Sequence, residues 1–292
     1  MTVTPIEVDA LSGLRWSPRG YATLSGAPYH FVAALEARLD EVAAAFGAEP
    51  LQFPPFLPVA ELQRIDYFGS FPHLATFATH LDGDDQRLAS FAAAPLAADQ
   101  SAAVHDHAPI HEVLTPAACY HLYVHFQGAA FAERRVFTTT ATCYRREDYY
   151  RPLERQWAFT MREVVAMGTS DEVKEFLAEG RERVDALAAD LGLPVRWEHA
   201  TDPFFRPSRN PQYLMQRIDP TKHELIYGDG LAIGSINLHH DHFGRAFAIG
   251  RTPGDTPVTT GCVAFGIERW LAAVVREHGL DPANWPLVDR DA

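Results

Sequence analysis

Two stretches of the 292-residue chain place charged, aromatic and thiol side chains at the spacing of β-strands. In the first, Cys143, Arg145 and Glu147 share one face of a strand, because successive side chains point to opposite faces. In the second, Phe159 and Glu163 share a face in the same way. If the two faces coincide, one side of a hairpin presents a cation, two carboxylates, an aromatic ring and a thiol. A non-catalytic, ion-paired edge hairpin is the alternative interpretation.

The residues around these positions predict the two strands of such a hairpin. Arg135–Glu147 is rich in Val, Phe and Thr, and Trp157–Met167 is a second apolar run, which is typical of strands. A polar loop lies between them, so we expect an antiparallel hairpin. Further strands are expected at Glu224–Tyr227 and Leu231–His239.

The N-terminal part of the chain contains a helical pattern followed by a proline-rich segment. In Tyr29–Phe46 the apolar residues recur on one helical stripe, which predicts a helix over about residues 29–47 that packs on the rest of the protein. Pro50–Asp66 contains several prolines and is expected to be extended, because proline interrupts a helix.

Two more helices are expected in the second half of the chain. Thr169 and Glu172 form the pattern of a capping box, and the apolar residues that follow recur at helical spacing. Gly192 marks the end of that helix. The last helix is expected from about Phe265 to His278.

The order of these elements indicates the fold class. Strands are separated irregularly by helices and loops, without a regular β-α-β alternation, which favours an α+β fold built on an antiparallel sheet. No internal repeat or convincing linker is present. We therefore expect a single domain over residues 1–292.

Charge and composition argue against several partners. The formal net charge is −13, whereas nucleic-acid binding depends on clustered basic residues, so no nucleic-acid partner is expected. No segment approaches the roughly 18 apolar residues of a membrane span. The three cysteines are far apart and odd in number, which does not suggest a disulfide framework. A cytoplasmic location is the expectation.

The hairpin residues also resemble a known motif. Tyr144-Arg145-Arg146-Glu147, followed after a loop by Gln156-Trp157-Ala158-Phe159, resembles the second signature motif of class II aminoacyl-tRNA synthetases. The third motif is resembled by Gly261 through Arg269, where a glycine-punctuated strand turns into a helix. Either motif alone is moderately specific, but both occur in the expected order.

More closely, the chain resembles the amino acid:[carrier protein] ligases, truncated relatives of the zinc-dependent seryl-tRNA synthetases of methanogens. Supporting stretches include Pro116–Tyr120, Phe159–Val165, Lys222–Leu225 and Asn237–Gly244, and the resemblance covers roughly residues 55–280. It implies a class II synthetase-like catalytic domain with an antiparallel six-stranded sheet flanked by helices. It also implies a homodimer.

The resemblance assigns roles in ATP binding and catalysis to the motif residues. Arg145 would hold the α-phosphate of ATP and the carboxylate of the amino acid, a task that suits the planar, permanently charged guanidinium. Glu147 would accept from the adenine amino group and Phe159 would stack on the base. Arg269 would bind the γ-phosphate, and Arg155 would also contact phosphate. Surface ion pairs are the alternative for these arginines.

The resemblance further implies a zinc site of two cysteines and a glutamate, which map onto Cys119, Glu163 and Cys262. Three protein ligands leave a position open, as in catalytic rather than structural zinc sites. The amino group of the substrate would take that position. Ordinary buried cysteines are the alternative. Cys143 is a rival ligand because it lies beside Arg145, but its motif position is not a ligand position in the family.

The turn that follows the predicted strand Leu231–His239 is rich in histidine. Imidazole and carboxylate groups are common metal ligands, but only His239 and Asp241 could converge, since adjacent strand residues point to opposite faces. The family does not use this turn for zinc, so a turn with polar side chains is the favoured interpretation. Ser235 and Asn237 share a face with His239 and are expected to contact ATP and substrate, respectively.

One departure from the family pattern concerns magnesium. True seryl-tRNA synthetases place a metal-binding glutamate on this strand, but no acidic residue occurs between Asp229 and Asp241. The residues that hold Mg²⁺ are therefore not identified by the resemblance.

Together, these resemblances imply an AMP-forming ligase that would use ATP, Mg²⁺ and Zn²⁺ to activate a small amino acid, glycine or alanine. The aminoacyl group would pass to the phosphopantetheine thiol of an acidic carrier protein. Arg206 and Arg209, beside Phe204 and Phe205, are candidates for the surface on which this carrier docks. A solvated loop is the alternative interpretation of that segment. Two alternatives stay open. Another acceptor, such as tRNA, a peptide or a small-molecule amine, would change the second step, and a non-catalytic module would only bind ATP or amino acid.

Overall fold

The computed structural model describes residues 10–254 and 256–288, without the side chains of Gln212 and Met215. Residues 1–9, 255 and 289–292 of the predicted single domain lie outside this description. The strands are β1 (Leu14–Ser17), β2 (Tyr21–Leu24), β3 (Glu49–Pro50), β4 (Phe56–Pro58), β5 (Phe77–Ala78), β6 (Glu112–Leu114), β7 (Ala130–Phe131), β8 (Arg135–Tyr144), β9 (Ala158–Gly168), β10 (Val195–His199), β11 (Lys222–Tyr227), β12 (Leu231–Leu238), β13 (Gly250–Arg251) and β14 (Thr259–Gly266). The helices are α1 (Ala27–Ala45), α2 (Val59–Arg64), α3 (Tyr67–Ser70), α4 (Asp85–Ala93), α5 (Tyr120–His125), α6 (Ser170–Asp190), α7 (Pro211–Ile218), α8 (His242–Ala246) and α9 (Ile267–His278).

The main sheet has seven strands in the order β10-β11-β12-β14-β9-β8-β3. Six of them pair antiparallel, as the resemblance implies, and the two-residue strand β3 adds a parallel edge beside β8. The expected hairpin is β8–β9, and Cys143 lies opposite Phe159 in its register. The two sets of odd-numbered side chains therefore do share one face, which confirms the α+β antiparallel fold and the predicted parity.

One face of the sheet is covered by α1, α6 and α9. The even-numbered residues Val164 and Ala166 of β9 point to this side, and Val263 of β14 joins them in a continuous apolar core. Burial of these side chains and of the helix residues packed on them removes apolar surface from water, which is the main favourable contribution to folding.

The helix α1 begins and ends two residues earlier than the predicted 29–47. Its buried residues are Phe31, Leu35, Leu39 and Ala43, together with Pro28 in the first turn. Two acidic residues of α1 make contacts that the sequence pattern did not indicate. Glu36 and Asp40 form ion pairs of 3.0 and 2.6 Å with Arg162, which β9 directs into this interface.

The capping box of α6 is present as predicted. The backbone N–H of Glu172 donates to the Thr169 hydroxyl, and the Thr169 N–H donates to the Glu172 carboxylate at 2.7 Å. The backbone N–H groups at the start of a helix have no partner within the helix. These two bonds satisfy two of them and thereby fix the residue at which α6 begins. The last helix, α9, begins at Ile267 rather than Phe265, since Phe265 and Gly266 still pair with β9.

The opposite face of the sheet is covered in part by α2, α5 and α8 and by a small sheet, β4-β6-β5. The expectation of extended chain over Pro50–Asp66 is wrong for its second half. Helix α2 begins at Val59 directly after Pro58, because proline interrupts a helix interior but is compatible with its start. In the described part of the chain, no helix combines the length and apolar character that crossing a bilayer requires.

Candidate active site

A cavity of about 520 Å³ opens on the part of this second face that α5 and α8 leave free. Side chains from β9, β12 and β14 form its floor, because each strand directs alternate residues to it. Glu163 of β9 lies opposite Ala264, and Asn237 of β12 lies opposite Cys262. The cavity-lining residues that the sequence predicted are Cys119, Arg145, Glu147, Phe159, Glu163, Ser235, Asn237, Cys262 and Arg269.

Arg145 lies just beyond the end of β8 and extends over the aromatic ring of Phe159. Its guanidinium carbon is 5.4 Å from the ring centroid, and its Nε donates to the carbonyl oxygen of Pro116 at 2.9 Å. Among the ion pairs of the described residues, none includes Arg145. Its charge is therefore oriented by a carbonyl and a ring but not neutralised by a carboxylate.

Arg269 reaches the same cavity from the first turn of α9. Its Nε donates to the carbonyl oxygen of Glu154 at 2.8 Å, and its Nη1 donates to that of Ala232 at 2.9 Å. Burial and the nearby Arg145 lower the pKa of this guanidinium. The two like charges face one cavity, which favours an anion between them.

Glu147 and Arg155 lie together at the edge of the site. Arg155 Nη1 is 2.7 Å from Glu147 Oε2, and the Arg155 guanidinium lies 4.7 Å from the ring centroid of Tyr149. Glu147 lines the cavity, whereas Arg155 is not one of its lining residues. The structure thus shows the ion pair that was the alternative for Arg155, and the contact with phosphate remains a prediction.

Cys119, Glu163 and Cys262 converge on one point of the cavity wall. Their ligand atoms, two sulfurs and a carboxylate oxygen, lie within 4.8 Å of one another, and all three residues are buried. Cys119 precedes α5, and its backbone N–H donates to Glu163 Oε1 at 3.0 Å. Cys143, also buried, is not part of this group, and its Sγ lies 3.8 Å from the carbonyl oxygen of Ala141.

The chemistry of this donor set fits a divalent cation such as zinc. The neighbouring Cys262 sulfur, burial and the Glu163 carboxylate raise the pKa of the Cys119 thiol well above its usual range. For Cys262, the bond with Cys119 lowers the pKa, but burial and Glu163 outweigh it and raise the value. A bound cation favours the thiolate forms of Cys119 and Cys262, and two thiolates with a carboxylate suit zinc.

Asn237, Ser235 and His239 line the cavity together, as their shared parity predicts. Asn237 Nδ2 donates to Ser235 Oγ at 3.0 Å and lies 3.3 Å from Cys262 Sγ. The His239 ring approaches the same sulfur, with its Nε2 at 3.8 Å. Burial lowers the pKa of His239 to about 3, so its ring is neutral at physiological pH.

The remaining polar residues of the turn do not gather around a common point. His240 Nε2 lies 3.1 Å from Asp219 Oδ2, and Asp241 Oδ2 accepts from Arg245 Nε at 2.6 Å. The only metal-ligand group found among residues 10–254 and 256–288 is the one formed by Cys119, Glu163 and Cys262. This is the polar turn that the sequence favoured.

Several cavity residues were not assigned a role from the sequence. Lys222 and Glu224 of β11 point into the cavity, and Lys222 Nζ is 2.7 Å from Asp202 Oδ1 and 3.2 Å from Glu224 Oε1. The alternation of Lys222 and Glu224 on one strand was the available signal. Asp202 lies in an irregular segment, and no periodicity marks it. Tyr67 also lines the cavity, and its hydroxyl has no hydrogen-bond partner among the described residues.

The sequence is similar to those of known ligases and tRNA synthetases. The family described as the tRNA synthetase class II core domain (G, H, P, S and T) matches residues 113–278. Amino acid–[acyl-carrier-protein] ligases 1 and 2 of Bradyrhizobium diazoefficiens are 35% and 36% identical to the chain, over 84% and 83% of its length and 76% and 74% of theirs. A type-2 serine–tRNA ligase of Methanococcus aeolicus is 24% identical over 88% of the chain and 52% of its own length.

Solved structures of synthetases resemble the fold. The M. kandleri SerRS, in complex with A. aeolicus tRNASec, superposes with a TM-score of 0.82 at 21% identity, over 96% of this chain and 58% of that one. The Giardia lamblia prolyl-tRNA synthetase, in complex with prolyl-adenylate, gives a TM-score of 0.71 at 15% identity, over 96% and 53%. With the family match and the identity to the two curated ligases, the chain belongs to the class II tRNA synthetase core family and, within it, to the amino acid–[acyl-carrier-protein] ligases.

Proposed function

We propose that this ligase activates glycine or alanine with ATP as an aminoacyl-adenylate and transfers the aminoacyl group to the phosphopantetheine thiol of an acidic carrier protein. One observation carries the proposal. Two guanidinium groups without carboxylate partners in the described chain face the same cavity as a group of metal-ligating side chains. This arrangement suits a ligand that combines anionic phosphates with an amine.

In the first step, a carboxylate oxygen of the amino acid attacks the α-phosphorus of ATP, and the bond to pyrophosphate breaks. Arg145 and Arg269 offset the charge on the phosphate oxygens, so the protein contributes orientation and electrostatic stabilisation rather than a nucleophile. Phe159 provides a surface for the adenine ring, and Glu147 accepts from its amino group. Carboxylates that line the cavity, Glu224 among them, would hold Mg²⁺ with the phosphates.

The amino group of the substrate is the natural partner of the zinc site. Zinc bound by Cys119, Glu163 and Cys262 supplies an electron-pair acceptor for the neutral amine. Ser235 and Asn237 line the same cavity. We assign Ser235 to ATP binding and Asn237 to binding of the amino acid. The choice of glycine or alanine rests on the resemblance to the carrier-protein ligases.

In the second step, the thiol sulfur of phosphopantetheine attacks the carbonyl carbon of the adenylate. A thioester forms, AMP leaves with the electron pair of the broken bond, and the thiol proton is released. The names of the two curated relatives support a carrier protein as the acceptor.

Docking of an acidic carrier on a chain of net charge −13 requires a local basic surface. Arg206 and Arg209 are exposed, and the Arg206 guanidinium lies 5.0 Å from the ring centroid of exposed Phe205. Phe204 is buried, stacks on Phe71 at 5.0 Å and lines the cavity. We therefore place Arg206, Arg209 and Phe205 on the docking surface, and Phe204 in the wall of the site.

The test compares acceptors under one condition. The enzyme, ATP and labelled glycine or alanine are incubated with holo-carrier protein, with apo-carrier protein, and with total tRNA. We expect label on the holo-carrier alone, removable by hydroxylamine as a thioester. Stable aminoacylation of tRNA with an unlabelled carrier would overturn the assignment of the acceptor. Arg206→Glu combined with Arg209→Glu should weaken transfer to the carrier and leave adenylate formation intact.

The oligomeric state is also part of the proposal. As in the family, we propose that the ligase is a homodimer and located in the cytoplasm. Light scattering during gel filtration should give twice the mass of the chain, and a mass equal to one chain at micromolar concentration would contradict the dimer.

A further inference from the structure

The ring of His239 connects the metal-ligand group to two buried hydroxyl groups. On one side, its Nε2 lies 3.8 Å from Cys262 Sγ. On the other side, its Nδ1 lies 3.1 Å from the hydroxyl oxygen of Thr260 and 3.3 Å from that of Tyr123. Both hydroxyl groups are fixed, because Thr260 and Tyr123 are fully buried and the Tyr123 ring stacks on Phe243 at 4.0 Å.

His239 is too far from the other two ligating residues to be a fourth ligand of the same ion. The ligand atoms of Cys119, Glu163 and Cys262 all lie within 4.8 Å of one another, and within residues 10–254 and 256–288 no ring nitrogen joins that group. A ring nitrogen that shared one tetrahedral zinc with these atoms would have to lie within that distance of each of them, because every ligand is only about 2.0–2.3 Å from the ion. The ring therefore contacts the site through the Cys262 sulfur alone.

The position of the ring proton follows from what each neighbour can donate. A thiolate can only accept a hydrogen bond, so the nitrogen that faces it must carry the proton. The hydroxyl groups of Thr260 and Tyr123 can both donate, and one of them can supply the bond that an unprotonated Nδ1 accepts. We propose that His239 is a positioning residue that donates its Nε2–H to the Cys262 thiolate, with its tautomer fixed by these two hydroxyl groups. The inference rests on the zinc site of the proposed function.

This bond has a consequence for the charge of the site. Two thiolates and a carboxylate carry three negative charges, one more than a divalent cation offsets. Asn237 already directs an N–H group to the Cys262 sulfur at 3.3 Å, and Glu163 accepts from the backbone of Cys119. A second donor on Cys262 spreads the remaining charge and holds the sulfur in place, as donors around metal ligands commonly do. It also weakens electron donation from sulfur, which leaves the ion more electrophilic toward an amine.

The experiment measures metal binding rather than activity. We compare the wild-type chain with His239→Ala, which removes the donor, and with His239→Gln, which keeps an N–H group of similar reach. His240→Ala is the matched control, because its ring is half exposed and bonded to Asp219. Zinc affinity is measured by competition with a chelator, and cobalt(II) is used as the probe for sulfur-to-metal charge-transfer absorption. Circular dichroism and thermal unfolding of each variant report whether the fold is retained.

We expect His239→Ala to lower zinc affinity about 10- to 100-fold, the usual effect of removing a group that bonds a metal ligand. The charge-transfer band should move to lower energy, because the thiolate has lost a donor. His239→Gln should restore most of both properties, and His240→Ala should match the wild type.

Wild-type affinity and an unshifted band in His239→Ala would overturn the inference. So would a His239→Gln variant as weak as the alanine variant, since donation of an N–H would then not be the cause. If the cobalt spectrum of His239→Ala showed one protein ligand fewer than that of the wild type, the ring would coordinate the ion directly. That result would also contradict the inference. A wild-type chain that binds no metal would instead refute the zinc site, whereas transfer to the carrier is tested separately.

Discussion

The two faces of the main sheet differ in the partners that they give to their arginines. On the helix-covered face, Arg162 is bonded to the carboxylates of both Glu36 and Asp40. On the cavity face, Arg145 and Arg269 are bonded to backbone carbonyl oxygens instead. A carbonyl fixes the direction of a guanidinium without cancelling its charge. The charge on one side is consequently used within the fold, and the charge on the other side is available to a ligand.

The metal-ligand group extends the same contrast. Cys262 faces the cavity, whereas the next residue, Val263, packs under α6 and α9. Neighbouring residues of one strand thus serve chemistry and packing, because their side chains alternate. Substitutions on the two faces should therefore have separable effects, on metal and substrate on one side and on stability on the other.

The largest expected effect is loss of the metal. Purified wild-type protein should contain about one zinc per chain, and Cys119→Ala and Cys262→Ala should each lose it, because two ligands cannot hold the ion in competition with water. Cys143→Ala should retain it. The measurement is elemental analysis after purification without chelator. Negligible zinc in the wild type, or loss of zinc only in Cys143→Ala, would contradict the assignment.

The next effect concerns Arg145 and Arg269, the two guanidinium groups that carbonyl oxygens orient on the cavity face. Arg145→Ala and Arg269→Ala should each reduce adenylate formation by at least about 10²-fold, the scale expected for removing one preoriented charge-stabilising group. Both variants should fold. Arg162→Ala is the contrasting variant, since it leaves two carboxylates without their partner and should lower thermal stability instead. If Arg145→Ala and Arg269→Ala keep near wild-type pyrophosphate exchange, the phosphate-binding roles are wrong.

The smallest expected effect tests the packing of the helix face. Gly180 lies within α6, and a Cβ atom there would be 2.7 Å from Val263 Cγ2. Gly180→Ala should therefore destabilise the protein by about 1–3 kcal/mol through overpacking, although alanine is the better helix former. Ala178→Gly at an exposed position of the same helix should cost about 1 kcal/mol by propensity alone. Denaturant unfolding measures both, and a stabilised Gly180→Ala variant would disprove the tight contact.

Much of the cavity floor could be predicted from the sequence because strands obey a simple alternation. Parity placed Cys143 with Arg145, and Phe159 with Glu163, on one face of their own strands. The observed pairing of Cys143 with Phe159 shows that these two faces coincide. The capping box of α6 was equally local. Such features depend on neighbours within a few residues.

Other features depend on contacts that the local sequence does not specify. Cys119 reaches Glu163 across 44 positions, and only the resemblance to a known family linked the two. Asp202 enters the cavity from an irregular segment through its bonds with Lys222 and Gln216. Helix α4 was not predicted; Asp84 caps its start, and none of its residues is buried.

Amino-acid-dependent exchange of pyrophosphate into ATP, run with each of the twenty amino acids, measures the proposed activation step itself. We predict exchange with glycine or alanine and little with larger residues. Exchange should also disappear when zinc is removed from the wild-type protein and return when zinc is restored. Absence of exchange with all twenty amino acids, in protein shown to be folded and zinc-loaded, would contradict the proposed activation of an amino acid on this face of the sheet.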